Sequence, residues 1–245
     1  MTGPAGPKIV AICGQKGGVG KTTAAVSLAS VAARAGRCML IDTDPQQSSL
    51  WWSEQVRDRW SEAPYDFDAE TDPKVLRRLR AAVAGGGYDT VFVDCAGSLS
   101  DEEGLAAVLD NADLAILPIE PAGLSLRPLA ETIKRLLVPR GLPYAVLLNR
   151  VDGRGVRPGK LPAEVAEGRM ALSVAGLPYF QAFVRTYAAH KRAPAEGLVV
   201  TQYVGTDAQN AVSDYQGVAV ELLTMLARGR QTQPVAPLRA VGGAQ

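Results

Sequence analysis

Lys8-Ile9-Val10-Ala11-Ile12-Cys13-Gly14-Gln15-Lys16-Gly17-Gly18-Val19-Gly20-Lys21-Thr22-Thr23 is the stretch that decides the fold of this 245-residue chain. The apolar run Lys8 to Cys13 predicts a strand, and Thr22 to Ala35 a helix stopped by Gly36. Between them lies a glycine-rich turn. Glycines let backbone N–H groups approach phosphate oxygens closely, and the N-terminus of the following helix adds a favourable dipole. Strand, turn and helix in this order are what a triphosphate requires. Lys21 would neutralise its β- and γ-phosphates, and the Thr22 hydroxyl would ligate Mg²⁺. The strict pattern GxxxxGK[ST] fails at one point, because Gln15 stands where the first glycine would be.

Outward from this stretch, apolar runs alternate with amphipathic ones, the rhythm of repeated βα units. Strands are expected at Cys38 to Asp42, Thr90 to Asp94, Leu114 to Ile119 and Tyr144 to Asn149. Helices are expected over Asp72 to Ala84, Asp101 to Asn111 and Leu126 to Val138. The strands are continuous apolar runs, as a sheet covered on both faces demands. Beyond Val151 the rhythm weakens. Gly153 to Lys160 predicts an exposed loop, Pro162 to Ala175 a helix, Tyr179 to Val184 a short strand and Asp207 to Arg228 a long helix. The expectation is a doubly wound, mostly parallel α/β domain over residues 1–230. Residues 231–245, rich in Pro, Gly and Gln, are expected to form a disordered tail.

Composition narrows the function. Hydrophobic residues make up 47% and charged residues 21%, which suits a globular chain. A net charge of +1 argues for nucleic acid only where basic residues cluster locally. Cys13, Cys38 and Cys95 sit in apolar runs without CxxC spacing and predict buried reduced thiols of a cytoplasmic protein. No run approaches the roughly 20 apolar residues of a membrane helix. His190 has no ligand partner at metal spacing and predicts a surface side chain. Trp51, Trp52 and Trp60 predict interface or core packing rather than nucleobase stacking.

Lys16 to Thr23 resembles the deviant phosphate loop of the ParA/MinD superfamily, which carries an additional lysine. Asp42-Thr43-Asp44-Pro45-Gln46 is similar to the DxDPQ switch segment of ParA-type ATPases. Val91 to Asp94 is similar to their Walker B strand, although Cys95-Ala96-Gly97 departs from the commoner Thr-Pro-Pro or Cys-Pro-Pro. The resemblance covers residues 8 to about 228 and is loose after Asn149. It implies an ATP-dependent homodimer in which Lys16 reaches the partner's phosphates. Gly17, Gly18, Val19, Gly20, Lys21, Thr22 and Thr23 would cradle the nucleotide, and Asn149 would hydrogen-bond adenine. Asp44 would orient the attacking water, while Thr22, Asp42 and Asp94 would serve Mg²⁺. An acidic residue at the C-terminal end of a strand lies where open α/β sheets bind ligands. Taken singly, Asp42 and Asp94 are equally well explained as caps.

The resemblance further implies an ATPase that binds nonspecific duplex DNA, becoming nucleoid-associated with ATP. A ParB-like or cargo adaptor would stimulate hydrolysis, so that plasmid, chromosome or other cargo is positioned. The basic cluster Arg185, Lys191 and Arg192 is the expected DNA contact. An ATP-dependent ligase or amidating synthetase on the same fold is the competing class, and no acceptor-substrate constellation supports it. A MinD-like membrane variant needs a basic amphipathic C-terminal helix, which Pro234, Pro237 and Gly242-Gly243 would break.

Overall fold

A computed structural model describes residues 6–14, 16–97, 102–121, 126–154 and 160–229. Gln15, Asp101, most of the expected loop over 153–160 and the expected tail lie outside the described residues. In chain order the elements are β1 (Lys8–Ile12), α1 (Lys21–Ala32), β2 (Cys38–Asp42), α2 (Ser48–Trp60), β3 (Asp66–Ala69), α3 (Pro73–Leu76), α4 (Leu79–Val83) and β4 (Thr90–Asp94). There follow α5 (Glu102–Asn111), β5 (Leu114–Ile119), α6 (Leu126–Thr132), β6 (Tyr144–Leu148), α7 (Ala163–Val174), α8 (Ala189–Ala195) and α9 (Thr206–Arg228).

The six strands form one sheet in the order β3-β2-β4-β1-β5-β6, and every pairing is parallel. The chain leaves β1 in one direction to build β2, β3 and β4, then crosses to β5 and β6. The phosphate-loop strand therefore sits where the winding reverses, the place where open α/β sheets bind ligands.

Strand residues alternate strictly between two apolar layers. Ile9, Ala11, Val91, Val93, Ala115, Leu117 and Val146 pack with residues of α3, α4, α5, α6 and α7. Val10, Ile12, Leu40, Phe92, Leu114 and Ile116 pack with α1, α2 and α9. Both faces are covered, so the strands read as unbroken apolar runs. Helix α1 is buried from Ala24 to Val31, wedged between sheet, α2 and α9. Small residues (Ala24, Ala25, Ser27, Ala29, Ser30) let it approach closely. Burial pushes the Cys13 and Cys38 thiols up to about 12 and raises Cys95 as well, so all three stay protonated and free.

Several expectations are corrected. The sequence pattern does not anticipate helix α2 or strand β3. The buried face of α2 is Ser49, Trp52, Ser53 and Val56, a helical spacing that two serines conceal. Strand β3 is acidic, and only Phe67 and Ala69 turn partly inward. The single helix expected over 72–84 divides at Arg77-Arg78 into α3 and α4. The helix expected over 126–138 passes after Thr132 into a π-turn and then a 3-10 turn holding Pro139, which has no N–H to donate. The expected strand Tyr179 to Val184 is reduced to isolated bridges at Tyr179 and Arg185. Helix α8 is a further element that the pattern does not show.

His190 is not on the surface as expected. It is half-buried in α8, with the Tyr187 and Tyr215 rings each 5.8 Å away, edge-on. Burial disfavours its cation and lowers its pKa to about 4; the Asp214 charge opposes the shift, and Arg150 adds to it. The unfolded chain, with an ordinary histidine near 6.5, binds the proton more readily between pH 6.5 and 4, so stability falls on acidification through that window. His190→Gln should flatten this part of the stability curve, measured by urea unfolding from about pH 7 to 4. A wild-type curve whose slope matches the variant's would remove His190 as the cause.

Candidate functional site

The C-terminal ends of β1, β2 and β4 lie in register, with Ile12 opposite Asp94 and Asp42 also opposite Asp94. Three loops converge there: residues 13–20, the switch segment 43–47 and residues 95–97. Backbone hydrogen bonds tie them together. Cys95 N donates to Ile12 O at 3.0 Å, and Cys13 N to Ile116 O at 3.0 Å. Thr43 donates to Asp94 O through both its N–H (3.0 Å) and its hydroxyl (3.1 Å).

In the phosphate loop Gly18 and Gly20 take φ of +80° and +86°, left-handed values that side chains resist. Gly20 caps α1 without a side-chain hydrogen bond, and the first turn of α1 holds no acidic residue. The first N–H groups of α1 and its dipole are left for an anion. Lys21 is 8% exposed, and its Nζ donates to the carbonyl of Lys16 at 3.4 Å. A Cβ on Gly97 would lie 2.6 Å from that Nζ. Gly97 therefore gives the lysine room in this position. Lys16 itself is exposed at the rim of the loop.

The two strand-end aspartates, each 1% exposed, differ in what they have to spend. Asp42 is fully employed: Oδ1 accepts from Asp44 N at 2.9 Å, and Oδ2 accepts from Ser49 N at 2.8 Å and Leu50 N at 2.9 Å. Asp42 clamps the switch segment to the start of α2 as a helix cap. Neither oxygen of Asp94 finds a hydrogen-bond partner among the described residues. Its pKa rises to about 7, first through burial and then through the charge of Asp42. The hydroxyls of Thr22 and Ser49 and the Lys21 ammonium face it and offset part of the shift. An orphaned carboxylate next to Thr22 fits a hard cation, and Mg²⁺ binds through one or two protein groups plus phosphates and water. Asp94 and Thr22 would hold it there.

Asp44 is half-buried, and its Oδ1 accepts from Gln46 N at 2.9 Å. Gln47 follows at φ 49°, a left-handed position outside glycine that holds the turn into α2. An open cavity of about 530 Å³ joins Thr22 and Thr23 to Gln46, Ser48, Trp51, Trp52 and Pro194. Trp52 is a core residue whose indole donates to Leu198 O at 2.8 Å. Trp51 and Trp60 are exposed, and Trp51 lines the cavity. Sequence reading gives no role to Ser49 or Gly97; the spacing of Ser49 from Asp42 becomes informative only once α2 is recognised.

Two further side chains of the expected site have protein partners of their own. Asn149 is 2% exposed and donates through Nδ2 to Val19 O at 2.8 Å. Arg185 is not a free surface cation. Its guanidinium grips Asp214 at 2.6 and 3.0 Å, over the Tyr187 ring. Lys191 and Arg192 are both exposed, and no ion pair to either occurs among the described residues.

Residues 10–215 match the model of the CobQ/CobB/MinD/ParA nucleotide-binding domain. The chain belongs to this family. As a family member it takes ATP and Mg²⁺ as cofactors. It is 43% identical over 216 residues to maintenance of carboxysome distribution protein A from Gloeobacter kilaueensis, covering 88% of this chain and 94% of that protein. A McdA–ATP complex from Cyanothece superposes with a TM-score of 0.68 at 17% identity, covering 89% and 97% of the two chains. The cell division protein MinD of Aquifex aeolicus gives 0.69 at 18% identity, covering 95% and 100%. Within this family fold, Asp94 is the group whose isolation a bound cation would relieve. Asp94→Asn should therefore raise the melting temperature of the nucleotide-free protein by about 2–4 °C, as removal of roughly 1 kcal/mol of strain would. It should also abolish the additional stabilisation that Mg²⁺ gives in the presence of ATP. Thermal melts with ATP, with and without Mg²⁺, measure both. A lower melting point in the nucleotide-free variant would sink the assignment.

Proposed function

We propose that this chain is a ParA-type positioning ATPase that closes into a homodimer with Mg-ATP, binds nonspecific DNA, and is released when an adaptor protein stimulates hydrolysis. The observation that carries the reading is the phosphate loop with two lysines in different settings. Lys21 is buried against its own loop and serves the nucleotide of its own protomer. Lys16 stands exposed at the rim, where it would reach the phosphates of a partner. The switch segment supports the same reading: Asp42 anchors it, and Asp44, half-buried within it, would orient water. The relatives named for carboxysome distribution suggest a carboxysome-like body as cargo, in place of the plasmid or chromosome that family resemblance alone implies.

Removing one group that acts on charge in the transition state costs about 10²–10³ in rate. Lys16→Ala should keep ATP affinity yet lose hydrolysis by about that factor, together with the ATP-dependent dimer. Asp44→Ala should keep both affinity and dimer while hydrolysing as slowly. Fluorescent-ATP titration, sizing chromatography and phosphate release separate the two variants. Normal turnover in the Lys16 variant would demote it to a solvated loop residue.

The DNA contact is reassigned to Lys191 and Arg192 of α8. Each cation removed from a DNA phosphate should flatten the slope of log affinity against log salt by about 0.9. The Lys191→Ala, Arg192→Ala double variant should bind every duplex more weakly, with that flattened slope. Arg185→Ala should instead lower thermal stability, because it strands a largely buried Asp214. Gel shifts with ATP across a salt series, beside melting curves, test the pair. Unchanged DNA binding in the double variant, or no binding by the ATP-loaded wild type, would overturn this part.

A further inference from the structure

We infer that Asn149 is a positioning residue: by holding the carbonyl of Val19, its amide sets the curvature of the phosphate loop before any nucleotide arrives. The inference rests on the nucleotide reading of that loop and assigns to β6 a task in it. The two residues are 130 positions apart, and the bond between them is buried at 2.8 Å. Asn149 is itself fixed, because its N–H donates to Ile119 O at 2.8 Å, which anchors the residue to the end of β5. The next residue, Arg150, is held at φ 57° and paired with Glu120 at 2.9 Å. The amide is therefore delivered to the loop from a rigid strand end.

Peptide planarity gives the bond its consequence. In a trans peptide the carbonyl and the N–H point in opposite directions. Anchoring the Val19 carbonyl on Asn149 turns the Gly20 N–H away from Asn149, free for an anion on the other side of the peptide. The neighbouring glycine shows how closely the parts meet. A Cβ on Gly20 would lie 2.6 Å from Asn149 Nδ2 and 3.6 Å from Arg150 Nε. Gly20 also needs φ of +86°. Position 20 is restricted to glycine both by its backbone and by the side chain that reaches over it. A contact to adenine alone would require neither the Val19 bond nor this crowding.

Amide hydrogen exchange of the nucleotide-free protein tests the clasp, and inorganic tripolyphosphate, which has no base, tests its use. In Asn149→Ala, exchange across residues 17–23 should quicken about tenfold, the effect of one buried hydrogen bond removed. Affinities for Mg-ATP and for Mg-tripolyphosphate should fall together, each by about the same factor. Asn149→Asp, which keeps the shape and removes the donor, replaces the alanine variant if that does not fold. Unchanged exchange would overturn the inference, and so would a loss confined to ATP, the mark of a base contact. A wild type that binds neither ligand would strike at the proposed function, while the exchange measurement would still decide the clasp.

Discussion

Asp42 and Asp94 end neighbouring strands in register, two carboxylates withdrawn from water within one layer of backbone. Such a pair is tolerated only if something answers each charge. Asp42 is answered from within, by three N–H groups of the switch segment and α2. Asp94 is answered only in part, by the hydroxyls of Thr22 and Ser49 and the charge of Lys21, and its raised pKa records the imbalance. The rest of the site follows from this inequality. One aspartate organises the segment that must respond to the nucleotide, and the other is left in want of a cation. Either residue alone is an ordinary strand-end acid. Side by side, one satisfied and one not, they become a site with a preferred occupant.

The fold makes that inequality stable. Parallel strands bring every C-terminal end to one edge of the sheet, and β1 places the phosphate loop among them. Helix α1, buried along most of its length, cannot shift away from its loop without disturbing α2 and α9. The switch segment is bonded to Asp94 through Thr43 and to α2 through Asp42, which links Asp94 to the helix that carries Trp51 and Trp52. Here the chain is continuous from chemistry to surface: the cavity beside Thr22 ends at Pro194, in the helix that also bears Lys191 and Arg192.

What the sequence discloses and what it hides divide along physical lines. The phosphate loop and five of the strands are legible because each rests on local pattern: glycine where φ is positive, apolar runs where both faces are buried. Helix α2 is hidden because Ser49 and Ser53 occupy its inward face, and strand β3 because its alternate positions are aspartates. The role of Asp42 depends on α2 and is hidden with it. The partners of Asn149 and Arg185 are hidden for another reason. Val19 and Asp214 are remote in sequence, and a polar side chain does not announce which distant group will claim it. His190 reads as a surface group in the same way, because its aromatic neighbour Tyr215 lies in α9, a helix it meets only after folding.

Strand β3 forms one margin of the sheet, and its Asp66 and Asp68 interrupt any apolar run along it. An open strand edge invites another copy to add to it, and charge at the edge is a common way of refusing the invitation. The refusal matters most for a protein that crowds onto a surface and must leave it again. If copies could zip together along their sheets, the assembly would grow without reference to nucleotide and would not disperse. A short acidic margin disfavours that route, and under the proposed function association would be left to the surface around the nucleotide site. Reversibility would then be favoured at the sheet edge opposite β6, by a strand of four residues set apart from the nucleotide loop.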